Sequence, residues 1–280
     1  MTPTVLGCVK YLNTLPLIEG LERAANVRLV TAAPAALAGM LERGEADLAL
    51  ASLVDVARAR GTLTLVPAGM IGCDGPTLTV RLFARVPMNA VRALAADTDS
   101  HTSVVLARVI LKQVYGAAPE VRDYSAAEGG ADAVLLIGDK VITGAPSAAE
   151  YPHQLDLGEA WKAWTGLPFV YAMWMCRAAE ARSARVVSAA RVLDRQRRRN
   201  AARLEWIVQK HAAERGWPAD LARRYVEEFL RYEVTDEALA GARRFLWEAA
   251  EIGLLPAYEI PAETGAQAFA GAAIDADANP

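Results

Sequence analysis

Over the first 60 residues, short apolar runs alternate with segments whose apolar positions fall three and four residues apart. Val5 to Val9 has the look of a strand, and Leu15 to Arg23 that of a helix entered through Pro16, whose missing N–H is not needed in a first turn. Val27 to Thr31 is a second strand, Pro34 to Arg43 a helix stopped by Gly44, Ala46 to Ala51 a third strand and Val54 to Arg60 a short helix. Strands alternating with helices predict βαβ units and a largely parallel sheet. Leu63 to Pro67 and Thr77 to Arg85 are two further strand-like runs, after which Pro87 interrupts.

A second α/β set follows. Its members are a strand over Val91 to Ala95, a helix over Ser103 to Tyr115, and strands over Glu120 to Tyr124 and Ala131 to Ile137. Phe169 to Cys176 is strongly apolar and strand-like. From Ala178 the pattern turns helical, with helices expected over 178–216, 218–232 and 236–254 and a loose Ala/Gly-rich tail after Pro261. This order predicts two lobes. Residues 1–85 and 174–280 form lobe one, residues 86–173 form lobe two, and the helical tail packs on lobe one. Two crossings make a hinged cleft, with ligands held between the lobes near strand C-termini and helix N-termini. The apolar stripes of the tail suit dimer contacts and packing on lobe one equally well, so oligomeric state stays open.

Composition narrows the function. The 280 residues carry a net charge of −3, which argues against general nucleic-acid binding. The basic cluster Arg195, Arg197, Arg198 and Arg199 reads as a solvated helix face. Cys8, Cys73 and Cys176 are odd in number and far apart, which disfavours a disulfide framework or a zinc site and suits buried thiols. No charge-free apolar run reaches 18 residues and no export signal precedes the first strand, so the expected compartment is the cytoplasm, with no membrane partner.

No GxGxxG, Walker A, HExxH or GxSxG signature occurs. The three histidines, His101, His153 and His211, lie outside metal-ligand spacing, and His153 and His211 read as surface residues. Three segments stand out. In Tyr11-Leu12-Asn13-Thr14-Leu15-Pro16, Asn13 and Thr14 suit either N-capping or binding of an anion at a helix start. In Gly72-Cys73-Asp74-Gly75-Pro76-Thr77-Leu78-Thr79, a tight turn precedes two threonines on one strand face, so Thr79 faces the cleft or solvent. Asp97-Thr98-Asp99-Ser100-His101-Thr102-Ser103 offers several hydroxyls and a histidine at a helix start, more than one cap requires.

Together these segments, with Ser52-Leu53-Val54, Leu136-Ile137-Gly138-Asp139 and the stretch from Asp156 to Val170, resemble the menaquinone-biosynthesis chorismate dehydratases of the futalosine pathway. The matches run in order from residue 5 to about 177, and the helical tail carries no sharp motif. The resemblance implies an α/β, type II periplasmic-binding-protein-like clamshell used by a cytoplasmic enzyme, a hydro-lyase. It implies loss of water from chorismate to give 3-[(1-carboxyvinyl)oxy]benzoate. Asn13 and Thr79 fall on the family's catalytic positions. Tyr11, Ser52, Gly75, Pro76, Ser100, His101, Thr102, Ser103 and Asp139 are the expected substrate-binding residues. Thr79 stands where the family commonly has Ser, and His101 where it usually has Arg.

The chemistry suits neutral donors. Chorismate is one dehydration from an aromatic ring, so the reaction runs downhill without a cofactor or metal, and the protein's task is to hold one conformer and stabilise developing charge. No carboxylate stands out as the base: Asp74 reads as a turn former, and Asp139 as a helix cap or a cleft residue. The substrate's own enolpyruvyl carboxylate is therefore the expected proton acceptor, positioned by Asn13. Three other readings share the fold. One is a solute-binding protein, disfavoured by the missing export signal, and one is the sensing half of a regulator, disfavoured by the missing helix-turn-helix. The third is the sister 1,4-dihydroxy-6-naphthoate synthase, whose early Ser-Pro-Cys-Pro-Asn-Asp stretch is absent here.

Overall fold

The computed structural model describes residues 2–96, 100–124 and 130–264. Two sheets organise it. The first has the order β11-β4-β10-β3-β1-β2, built from β1 (Thr4–Cys8), β2 (Val27–Thr31), β3 (Leu48–Ser52), β4 (Leu63–Cys73), β10 (Phe169–Arg177) and β11 (Leu230–Arg231). The second has the order β7-β6-β8-β5-β9, built from β5 (Val80–Ala84), β6 (Ala93–Ala96), β7 (Glu120–Asp123), β8 (Ala133–Ile137) and β9 (His153–Asp156). The two sheets and their covering helices make the two-lobe α/β architecture that the sequence suggests.

Both sheets are mixed rather than largely parallel. β1 runs parallel to β2 and β3, and β6 parallel to β7 and β8. β10 is antiparallel to β3 and β4, and β5 is antiparallel to β8 and β9. The exceptions are strands next to the crossings, where the chain enters or leaves a sheet. The boundaries also move. β5 lies before residue 85 but pairs in the second sheet, and β10 starts before residue 173 but belongs to the first. The crossings therefore lie between Cys73 and Val80 and between Asp156 and Phe169.

Local differences have identifiable causes. The helix expected over Leu15–Arg23 ends early: α1 covers Leu15–Ile18, and Gly20 then takes φ 90°, which breaks the repeat. α2 (Leu37–Glu42) and α3 (Leu53–Arg58) follow the pattern. β4 continues through Pro67 because residues 67–69 bulge out of the ladder, where an N–H is not required. α4 (His101–Tyr115) starts two residues early, and Asp97, Thr98 and Asp99 lie outside the described residues. The pattern gave no sign of α5 (Asp139–Thr143), β9 or α6 (Leu157–Thr165). The tail resolves into α7 (Ala184–Ala201), α8 (Leu204–His211), α9 (Ala219–Arg224), a π-helical turn over Tyr225–Phe229 and α10 (Asp236–Glu251). Its last residues, 265–280, lie outside the described ones. His153 sits in β9, and His211 is largely covered because it bonds Glu19 (2.9 Å). In the basic cluster, Arg197 and Arg198 pair with Asp194.

The tail does more than cover lobe one. α7 packs on α1 and β4, but α10 contacts β10, α3 and α4 together. Phe245 of α10 meets Phe169 and, edge-on, Trp161 of α6, so one hydrophobic core runs through both lobes. Gly241 permits this approach, because a Cβ there would lie 2.0 Å from the Pro168 carbonyl oxygen.

The crossing after β4 is held by one buried carboxylate. Asp156 accepts hydrogen bonds from the N–H groups of Thr77 (3.0 Å) and Leu78 (2.8 Å), and also from Gly158 (3.0 Å) and Glu159 (3.2 Å) at the start of α6. Gly158 is needed for this contact: a Cβ there would stand 2.5 Å from the Gly75 carbonyl oxygen and 2.6 Å from Cys73 Sγ. Leu78 takes φ 66°, an uncommon conformation for a residue with a Cβ.

Two outcomes follow from this geometry. Asp156→Ala orphans the buried N–H groups of Thr77 and Gly158, at about 1–3 kcal/mol each; urea denaturation should show a loss of roughly 3 kcal/mol or more, and Asp156→Asn a smaller one. Burial pushes the Cys8 thiol up to about 11 and those of Cys73 and Cys176 up to about 12. All three are free and buried, so Ellman's reagent at pH 8 should detect no thiol in the native protein and three after denaturation.

Candidate active site

A cavity of about 220 Å³ opens between the two sheets. Lobe one supplies Tyr11 and Asn13 after β1, Ser52 at the end of β3, and Tyr171 from β10. The crossing supplies Thr77 and Thr79. Lobe two supplies Ser100 and Ser103 at the start of α4, and Gly138, Asp139 and Lys140 after β8. Tyr225 and Leu230 close it from the tail. Three of these groups follow strands β1, β3 and β8 at their C-terminal ends, where open α/β sheets place ligands.

Asn13 and Thr79 therefore share one hollow. Neither Asn13 nor Thr14 caps a helix: Thr14 precedes α1 without a side-chain cap bond, and its hydroxyl donates to Asn13 Oδ1 (3.2 Å). Thr79 is fixed through its backbone, its N–H donating to the Thr77 carbonyl (2.8 Å) and its own carbonyl accepting from Gly138 (2.8 Å). Its hydroxyl shares a 2.7 Å hydrogen bond with the Tyr225 phenol, and Asn13 lines the cavity beside the same ring. At α4, Ser100 accepts from the Ser103 N–H and donates to its hydroxyl (2.8 Å). This pair stands at the positive end of a 15-residue helix.

Of the residues expected to bind substrate, Tyr11, Ser52, Ser100, Ser103 and Asp139 line the cavity, and Gly75, Pro76, His101 and Thr102 do not. Gly75 and Pro76 lie in the turn beneath α6, where they shape the crossing. Thr102 is buried and accepts from the Val54 N–H (3.4 Å). His101 Nδ1 lies 2.7 Å from Asp55 Oδ1. Both contacts join α4 to α3, so these residues tie the lobes together at the rim. Asp74 pairs with Lys162 on the surface.

Pattern reading missed Tyr171, Lys140, Trp217 and Tyr225. Tyr171 reaches the cavity from a bulge in β10, the register slipping between Val170 and Ala172. Lys140 is the one cation lining the cavity among the described residues. Tyr225 stacks on Trp217 with ring centroids 4.9 Å apart and planes 17° apart, and the Trp217 indole N–H donates to Asp139 Oδ1 (2.5 Å). Burial raises the pKa of both Tyr171 and Tyr225 well above the usual phenol value, so both stay neutral donors. No local signal marks these tail residues: Trp217 falls in the break between two helical stretches, and Tyr225 lies within the second.

Among the described residues no three metal-ligating side chains converge, and no helix is long and apolar enough to cross a membrane. The cavity can thus offer an anionic small molecule uncharged hydrogen-bond donors, a helix N-terminus and one ammonium.

Solved structures share the architecture. A protein of Archaeoglobus fulgidus superposes with a TM-score of 0.67 at 16% identity, covering 90% of this chain and 98% of that one. An alkanesulfonate-binding protein of Xanthomonas axonopodis bound to MOPS gives 0.65 at 15%, covering 95% and 98%. A Candida albicans protein with the generic periplasmic-binding-protein fold gives 0.65 at 9%, covering 90% and 92%. At these identities the likeness shows the fold alone. Sequence similarity goes further: a chorismate dehydratase of Thermus thermophilus is 32% identical over 265 residues, spanning 88% of this chain and 94% of the relative. The model of the menaquinone-biosynthesis family matches residues 4–251. That match takes in the strands, the cavity and most of the helical tail, and the chain belongs to the menaquinone-biosynthesis family.

Proposed function

We propose that this protein is a chorismate dehydratase acting in menaquinone biosynthesis, a hydro-lyase that turns chorismate into 3-[(1-carboxyvinyl)oxy]benzoate. The observation that supports this best is the meeting of Asn13 and Thr79, 66 residues apart in sequence, on one cavity that also receives the start of α4. The 32% identity to the Thermus enzyme supports the same reading. The substrate is a small dianion, the site is the cleft between the lobes, and the compartment is the cytoplasm.

The chemistry asks for two events. A proton leaves C3 of the ring, and its electron pair forms the C3–C4 double bond as the C4 hydroxyl departs, taking up a proton to become water. The ring becomes aromatic, so the protein need only select a conformer and stabilise charge. Ser100, Ser103 and the first N–H groups of α4 suit one carboxylate, and Lys140 supplies a cation for the other. Asn13 and Thr79 donate neutral hydrogen bonds at the reacting face. Asp139 is engaged by the Trp217 N–H, which suits it poorly for proton abstraction. The enolpyruvyl carboxylate, held beside C3 by Asn13, fills that part.

The alkanesulfonate-binding neighbour favours one alternative, a solute-binding protein of the same fold that grips an anion without turning it over. Incubation with chorismate separates the two. The dehydratase releases an aromatic product lighter by one water, whereas tight binding with no product leaves the solute-binding reading. Asn13→Ala should lower kcat by about 100-fold or more, the scale of a lost transition-state donor, with the melting temperature nearly unchanged. A fully active Asn13→Ala variant removes Asn13 from the mechanism. Loss of turnover at intact chorismate affinity on replacing one carboxylate, Asp139 included, would identify a protein base and refute the substrate-assisted step.

A further inference from the structure

We propose that Tyr225 is a positioning residue for the dehydration, its hydroxyl directing the Thr79 hydroxyl toward the substrate. The inference rests on the dehydratase reading above. It places part of the reaction's machinery in the helical tail.

A threonine hydroxyl has a single proton and turns freely, so by itself it donates wherever it finds an acceptor. Thr79 Oγ1 lies 2.7 Å from the Tyr225 oxygen, and Asn13 lines the same cavity. A neutral phenol has one proton to give and lone pairs to receive. If it donates to Thr79, the threonine keeps its own O–H for the cavity. A phenolate could only accept, and would turn the Thr79 proton away from the substrate. Burial keeps the phenol neutral.

The phenol is itself held by a ring that is anchored in turn. Its ring stacks on Trp217, and the Trp217 indole donates across the cleft to Asp139 of lobe two. Tyr225 opens a π-helical turn, a rare geometry found often at functional sites. The aim of Thr79 is thus linked to the approach of lobe two. A hydroxyl merely filling space would need neither the stack nor the cross-cleft bond.

The test is a double-mutant cycle on the full chain: wild type, Tyr225→Phe, Thr79→Val and the double variant, each assayed with chorismate and by thermal melting. Tyr225→Phe should lower kcat about 10- to 100-fold, with KM within about threefold and the melting temperature close to wild type. The double variant should be no more than about twofold slower than the slower single, because both substitutions break one unit. Wild-type kcat in Tyr225→Phe, or multiplying losses in the double variant, overturns the inference. If Tyr225→Phe fails to fold, Trp217→Phe serves instead, since it keeps the stack and removes the cross-cleft N–H. A several-fold lower kcat then supports the proposal and an unchanged kcat overturns it. A wild-type protein inert toward chorismate refutes the dehydratase reading and this inference with it, whereas an active wild type beside an unimpaired Tyr225→Phe refutes this inference alone.

Discussion

The cavity depends on a buried carboxylate that terminates backbone on both sides of a crossing. The chain must leave one sheet and enter the other, and its N–H groups cannot stay in a ladder while it turns. Asp156 receives them, from Thr77 and Leu78 on the outgoing crossing and from Gly158 and Glu159 at the head of α6. The positive φ of Leu78 is affordable only with such fixed partners. This geometry presents Thr79 to the cleft on a backbone bound at both its N–H and its carbonyl.

A second constraint acts on the lobes as bodies. In a simple clamshell the halves share only two linking strands. Here α10 lies against β10, α3 and α4, and the aromatic contacts of Phe245 reach from one sheet to the helix over the other. His101 and Thr102 add polar contacts from α4 to α3 at the rim. Opening the cleft therefore costs apolar burial as well as hydrogen bonds, which favours a site held near its working geometry. Preorganisation suits a reaction whose driving force lies in the substrate, because little is left for the protein except alignment.

Much of this architecture was legible in the chain. The alternation of short apolar runs with helical stretches announced an α/β fold, and Gly44 and Pro16 marked helix ends for local reasons. Asn13, Thr79, Ser100 and Ser103 stood out beside a strand end or a helix start, Ser52 came only with the family resemblance, and all five line the cavity. The failures have a common cause. β5 was assigned to the wrong lobe because a strand's own pattern does not say which sheet it joins. Gly75, Pro76, His101 and Thr102 sit within motif segments, yet they lie at the crossing and the rim and do not line the cavity.

The sequence by itself determined the local alphabet: which stretches become strands or helices, which thiols are buried, and which polar residues flank the first turns. These follow from periodicity, capping chemistry and backbone preference, all of which act within a few residues. Tertiary structure alone decided that a phenol at position 225 bonds a hydroxyl at 79 in the cavity that an amide at 13 lines, and that an indole at 217 reaches a carboxylate at 139. Those meetings depend on how two sheets and a helical tail close on one another, and no short-range pattern encodes that closure.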